Sequence, residues 1–231
     1  MIDNIDIKLM LEKCLTSHDI SDMKQGVLFL GTLIQFEGNE VKLMKAVQPE
    51  ILEYVDHNIF GKANSLFQDG VPIEQKLEQL DLVKYSLWML SNYVSNQKID
   101  GYTEILIISK NLYSQIIQIG LSSRAIVVGP ESSKVSWEKF QSLFVESMYV
   151  ITTLMTKCED EDVFFQVVND KAVIELLCYC LMEQDQLNLP DKLVYMALLA
   201  IEIALNFSHF NNEDALNILD FKVKEYLQEI S

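Results

Sequence analysis

An all-α solenoid is the fold class the sequence predicts, and three observations carry the prediction. Of 231 residues, 49% are hydrophobic, while Gly (8) and Pro (4) are too few for a β-sandwich with its many turns or for a disordered chain. Long apolar segments recur with one helical step pattern. Each is followed by a polar stretch with a short helical pattern and then by a further apolar helix, so the chain reads as a repeated unit.

The step pattern is four, three and four residues, which puts the apolar side chains on a single stripe of a helix. It occurs at Met23–Val27–Leu30–Ile34, Val83–Leu87–Leu90–Val94, Phe140–Phe144–Ser147–Ile151 and Val194–Leu198–Ile201–Leu205, with Ser147 the imperfect member. Successive starts lie 60, 57 and 54 residues apart. The connections that follow are QFEGNEVKLMKAV, SNQKIDGYTEIL, TTLMTKCEDEDVFFQVV and NFSHFNNEDALNIL, whose acids suit helix N-termini. The further helices are PEILEYVDHNIF, NLYSQIIQIGLS, KAVIELLCYCLM and the shorter FKVKEYLQEI. No such helix buries its apolar surface alone, so neighbours must stack. About four three-helix units fill a single domain over residues 1–231, with surface-loop insertions at 60–74 and 122–136.

Composition narrows the partners. The formal charge is −16, from 34 acidic and 18 basic residues. Such a surface repels phosphates and anionic membranes and favours basic protein partners, so neither nucleic acid nor membrane is expected. Arg124 is the only arginine, which leaves almost no bidentate phosphate clamp. No apolar run reaches the ~20 residues of a membrane span, and the acidic start MIDNIDIKLMLEKC is unlike a signal peptide. A cytoplasmic or nuclear location is the expectation, and Cys14, Cys158, Cys178 and Cys180 are then reduced thiols.

Catalytic, cofactor and metal sites are not expected. Cys178 and Cys180 are two apart on a helix and point about 200° from each other, so they cannot share an ion. The run Glu159–Asp162 lacks the spacing of a calcium loop, GPESSK lacks the second glycine of a phosphate loop, and His18, His57 and His209 share no metal or triad spacing. No convergent acid–base set can be assembled, so the chain is not read as an enzyme.

The segment SLWMLSNYVSNQKIDGYTEIL resembles the armadillo repeat of the importin-α kind, whose third helix carries Trp-x-x-x-Asn within a phrase like A-L-W-A-L-S-N. Here the phrase is Ser86-Leu87-Trp88-Met89-Leu90-Ser91-Asn92. It covers one unit; by the stripe register the same two positions hold Leu28 and Thr32, Val145 and Tyr149, and Leu199 and Ile203. The resemblance implies a right-handed α-solenoid of armadillo/HEAT-like repeats whose third helices line a concave groove. It further implies an Asn that bonds the backbone of an extended peptide and a Trp that walls its lysine side chains.

The residues make physical sense of that role. Trp88 lies roughly opposite the Val83–Val94 stripe, with Asp81, Tyr85 and Asn92 on its face. An amide donates to and accepts from a peptide backbone at once, and an indole face attracts a cation and its stem. Asp81 adds an acid for the same ligand. Tyr149, with Ser142, Thr152, Thr153 and Thr156, forms a second polar-aromatic strip, whose threonines are expected to be solvated. The expected job is a protein-interaction module that binds an extended, basic segment through Trp88, Asn92, Tyr85, Asp81 and Tyr149. The alternative is a structural subunit of a large assembly, with Trp88 buried in stacking.

Overall fold

A computed structural model describes residues 7–35, 49–67, 72–96, 110–129, 133–158, 164, 167–168 and 170–206. These residues form helices and turns, with no strand among them. Eight α-helices follow in order: α1 (Ile7–Leu15), α2 (Ile20–Gln35), α3 (Pro49–Asn58), α4 (Leu77–Ser95), α5 (Lys110–Val127), α6 (Lys134–Lys157), α7 (Lys171–Met182) and α8 (Asp191–Asn206). Three of the sequence stripes are the buried faces of α2, α4 and α6. Met23, Val27, Leu30 and Ile34, then Val83, Leu87, Leu90 and Val94, then Phe140, Phe144 and Ile151 are all buried. Each such side chain contributes about 1.5–3 kcal/mol of transfer free energy.

Ser147, the polar member of the third stripe, is fully buried as well. Its hydroxyl donates to the Leu143 carbonyl at 2.8 Å, so no polar group is orphaned. A small residue is needed here because α5 crosses closely at Gly120, where an added Cβ would lie 3.5 Å from the Ser147 Cβ.

Helices α2, α4, α6 and α8 form one row, each packed on the next. They run in the same direction. Lys24 meets Asp81 and Gly31 meets Trp88, two contacts one heptad apart in the same order on both helices. Asp81 meets Lys139 across the next junction, with almost the same residue offset. At the last junction Gln141, near the start of α6, donates to the carbonyls of Leu187 and Asn188 just ahead of α8. Behind this row α1, α5 and α7 back onto α2, α6 and α8, with α3 against α1.

The α8 stripe is shifted by one residue from the expected one. Leu193, Ala197, Ala200 and Ala204 are buried, whereas Leu198 and Leu205 are 49% and 51% exposed. The steps are still four, three and four; of the expected stripe Ile201 is buried and Val194 partly buried, while Leu198 and Leu205 are exposed.

Two stretches expected to be loops carry structure. Phe60–Phe67 is a 3-10 helix whose Phe60, Ala63 and Leu66 are buried, and whose Phe67 ring lies 5.6 Å from that of Phe140. A second 3-10 turn covers Ile73–Gln75. Residues 122–127 belong to α5 and 134–136 to α6, leaving a short connection between them. Side chains cap the starts of α2, α6 and α7. Asp19 accepts from the Ser21 amide at 2.8 Å, Ser133 from Ser136 at 3.2 Å and Asp170 from Ala172 at 3.0 Å, each worth about 1 kcal/mol.

Most of the expected short middle helices, the Glu159–Asp162 run, His209 and the final FKVKEYLQEI helix lie outside the described residues. Of the middle stretch after α6, Phe164, Val167 and Val168 are helical and buried. All four cysteines are free thiols; Cys178 and Cys180 are buried, and burial pushes the Cys180 thiol well above its usual range.

Candidate functional site

The row of long helices leaves a polar-aromatic face opposite its buried stripes. At 100° per residue, Asp81, Tyr85, Trp88 and Asn92 fall within about 60° of one another on α4. All four are half-buried, as are Lys84 beside them and Lys139, Ser142, Glu146 and Tyr149 on α6. The sequence-predicted residues therefore do share one face, with Tyr149 on the neighbouring helix.

Trp88 is half core and half surface. Its six-membered ring lies on the α2 backbone at Gly31, where a built Cβ would overlap the indole. Glycine at this position lets α2 and α4 come together with the indole between them. The indole packs against the hydrophobic core yet is not fully covered. It thus serves helix stacking and still presents part of its surface.

Asp81 does not stand free for a ligand. Its carboxylate accepts from Lys139 Nζ at 2.7 Å and lies 4.0 Å from Lys24 Nζ, so it ties α2, α4 and α6 together. Tyr85 is engaged similarly. Lys24 Nζ sits 5.2 Å and Lys84 Nζ 5.9 Å from its ring centroid, both within cation–π range. The charged end of the face is held by its own residues.

Asn92 is different. Its Nδ2 is buried and has no hydrogen-bond partner. An unmade bond of this kind costs about 1–3 kcal/mol, and an amide that no neighbour holds can turn toward a ligand. Glu146, which sequence reading passed over, is half-buried on the neighbouring helix. Burial pushes its carboxyl up to about 7, against the opposing pull of Lys84. The one sequence signal for it is its place inside the apolar run LFVESMYVITTLM, where a charged residue is out of character.

Tyr149 has its phenol raised by burial and by Glu146 one turn away. The threonines beside it are not solvated as expected. Thr152 and Thr153 are buried, and their hydroxyls donate to the Met148 and Tyr149 carbonyls at 2.7 and 2.6 Å. Their hydroxyls are satisfied within α6, while Ser142, Tyr149 and Thr156 of that strip are half-buried.

No cluster of His, Cys, Asp or Glu that could hold a metal occurs among the described residues, and none of their helices is long and apolar enough to cross a membrane. Comparison with family models, curated proteins and solved structures gave no match.

Proposed function

We propose that this protein is a non-catalytic interaction module, an armadillo-like right-handed solenoid of about four units that binds an extended, basic polypeptide segment across α2, α4 and α6. The observation that carries the reading is the Asn92 amide, buried without a partner beside a half-open indole. A peptide backbone supplies the acceptor that amide lacks, and a lysine stem suits the open part of Trp88. Parallel stacking at a nearly constant residue offset supports a repeating solenoid. Helix axes packed ~8–10 Å apart would let six or seven extended residues cross the three helices.

The test uses a fluorescein-labelled lysine–serine peptide of about ten residues. Wild-type protein is expected to bind it, and Trp88→Ala with Asn92→Ala to weaken binding at least tenfold while circular dichroism keeps its helical signal. Equal binding by the double variant sinks the groove.

One observation favours a second reading, a structural subunit of a larger assembly. Tyr195 (66% exposed), Leu198 and Leu205 put large apolar groups on the open side of α8, the kind of surface that partner proteins cover. In that case Leu198→Glu would dissociate the protein from its native assembly, while the α2–α4–α6 face would tolerate substitution.

A further inference from the structure

The starts of α2 and α4, the end of α3 and the Phe60–Phe67 helix leave a hollow of about 150 Å³ between them. Its apolar wall includes Met23, Ile59, Leu66 and Val83, all buried. Met23 and Val83 belong to the buried stripes of α2 and α4, so the hollow lies away from the Trp88 face. Polar ties hold the walls in place. Asn58 donates its amide to the Leu15 carbonyl at 3.1 Å, and the buried Lys76 donates its ammonium to the Leu66 carbonyl at 3.0 Å. The polar side chains that line the hollow are His18, Asn58, Lys62 and Gln79.

None of these lining residues is acidic, in a chain whose acids outnumber its bases 34 to 18. Of the carboxylates next to lining positions in sequence, Asp19 caps α2, Asp22 accepts from the Ser17 hydroxyl at 3.0 Å and Asp81 holds Lys139. Glu78 is exposed and outside the lining. Lys62 and His18 are exposed, and neither side chain has a hydrogen-bond or ion-pair partner among the described residues. An ammonium and an imidazole N–H both donate to a carboxylate, and the ammonium adds a full charge. We propose that this hollow binds a small monocarboxylate with a compact apolar body of about six carbons, the size of ring that an apolar cavity of this volume admits. The body lies against Met23, Ile59, Leu66 and Val83, and the carboxylate meets Lys62 and His18. The site is independent of the peptide face.

A ligand of about ten non-hydrogen atoms that fills such a hollow is expected to bind with a Kd on the order of 1 mM. Because Lys62 is exposed, its share is that of a screened ion pair, about threefold in affinity. The apolar wall supplies most of the binding, and the rim selects the anion over its neutral counterpart.

The test titrates phenylacetate into the full chain and follows its methyl groups by NMR. The methyls of Met23, Ile59, Leu66 and Val83 are expected to shift together. Phenylacetamide, which has the same shape without the charge, is expected to bind about fivefold more weakly. Lys62→Gln is expected to weaken phenylacetate about threefold and Lys62→Arg to retain it; the side chain is exposed, so neither substitution disturbs the fold. Ala63→Leu fills the hollow from a buried wall position and is expected to abolish the shifts while the methyl spectrum stays dispersed. Equal affinity for phenylacetate and phenylacetamide, or unchanged affinity in Lys62→Gln, overturns the anion site. Unmoved wall methyls at about tenfold the expected Kd, or shifts that persist in Ala63→Leu, overturn the hollow as a binding site.

Discussion

Asn92 and Glu146 each weaken the free protein relative to apolar residues of their size. Asn92 keeps a buried donor without an acceptor, so Asn92→Ala loses no hydrogen bond. Its thermal midpoint is expected to stay level or rise, in contrast to the usual loss of ~1 kcal/mol or more at a half-buried position. For Glu146 the folded midpoint lies above the unfolded one of about 4.5. The folded protein therefore binds more protons between those values, and stability falls as pH rises from about 4.5 to about 7. Denaturant titrations are expected to show up to about 3 kcal/mol of this loss in wild type and its removal in Glu146→Gln. A pH profile that the substitution leaves unchanged would contradict the assignment. The Trp-Asn pair was legible in sequence because an indole and an amide are out of place on a helix opposite its apolar stripe. Glu146 was not, because glutamate on a helix ordinarily reads as solvent-facing, and its half-burial arises only in the folded chain.

Helix α8 shows what periodicity cannot decide. Leu193–Ala197–Ala200–Ala204 and Val194–Leu198–Ile201–Leu205 have the same step pattern one residue apart, and both are apolar. Size alone favours burying the second set, yet Ala197, Ala200 and Ala204 are fully buried, and of the second set Ile201 is buried while Leu198 and Leu205 are exposed. In α2, α4 and α6 the expected stripe is buried, and α4 and α6 bury a second set of the same steps as well, Leu82–Ser86–Met89–Tyr93 and Phe144–Met148–Ile151–Met155. A pair of substitutions separates the two registers of α8. Ala200→Leu is expected to cost about 1–3 kcal/mol by overpacking, while Leu198→Lys in the isolated protein stays within about 0.5 kcal/mol. Reversed costs, measured by chemical denaturation, would restore the stripe read from sequence. The stretch 60–74 reads as a loop on its Gly, Pro and Ser content; within it the three-residue spacing of Phe60, Ala63 and Leu66 is the 3-10 signal, too short to stand out in sequence.

Among the described residues, α2, α4, α6 and α8 stand in a parallel row backed by α1, α5 and α7, and polar ties cross the junctions. Asp81 links α2, α4 and α6 through Lys24 and Lys139, and Asn96 donates to the Ile34 carbonyl at 3.2 Å where α4 and α2 end together. Behind, the lone Arg124 forks onto Glu183 and stacks 3.9 Å over the Tyr179 ring, joining α5 to the end of α7. These ties hold the spacing of the helices that present Trp88, Asn92 and Glu146 to one surface. The net charge of −16 favours a basic segment reaching that surface. The most direct measurement of the central claim is an NMR titration of the lysine–serine peptide that follows the Asn92 side-chain amide and the Trp88 indole N–H. The account predicts that both resonances move in step with saturation, along with backbone amides of α2, α4 and α6. Shifts confined to α8, with Asn92 and Trp88 unmoved, would contradict it.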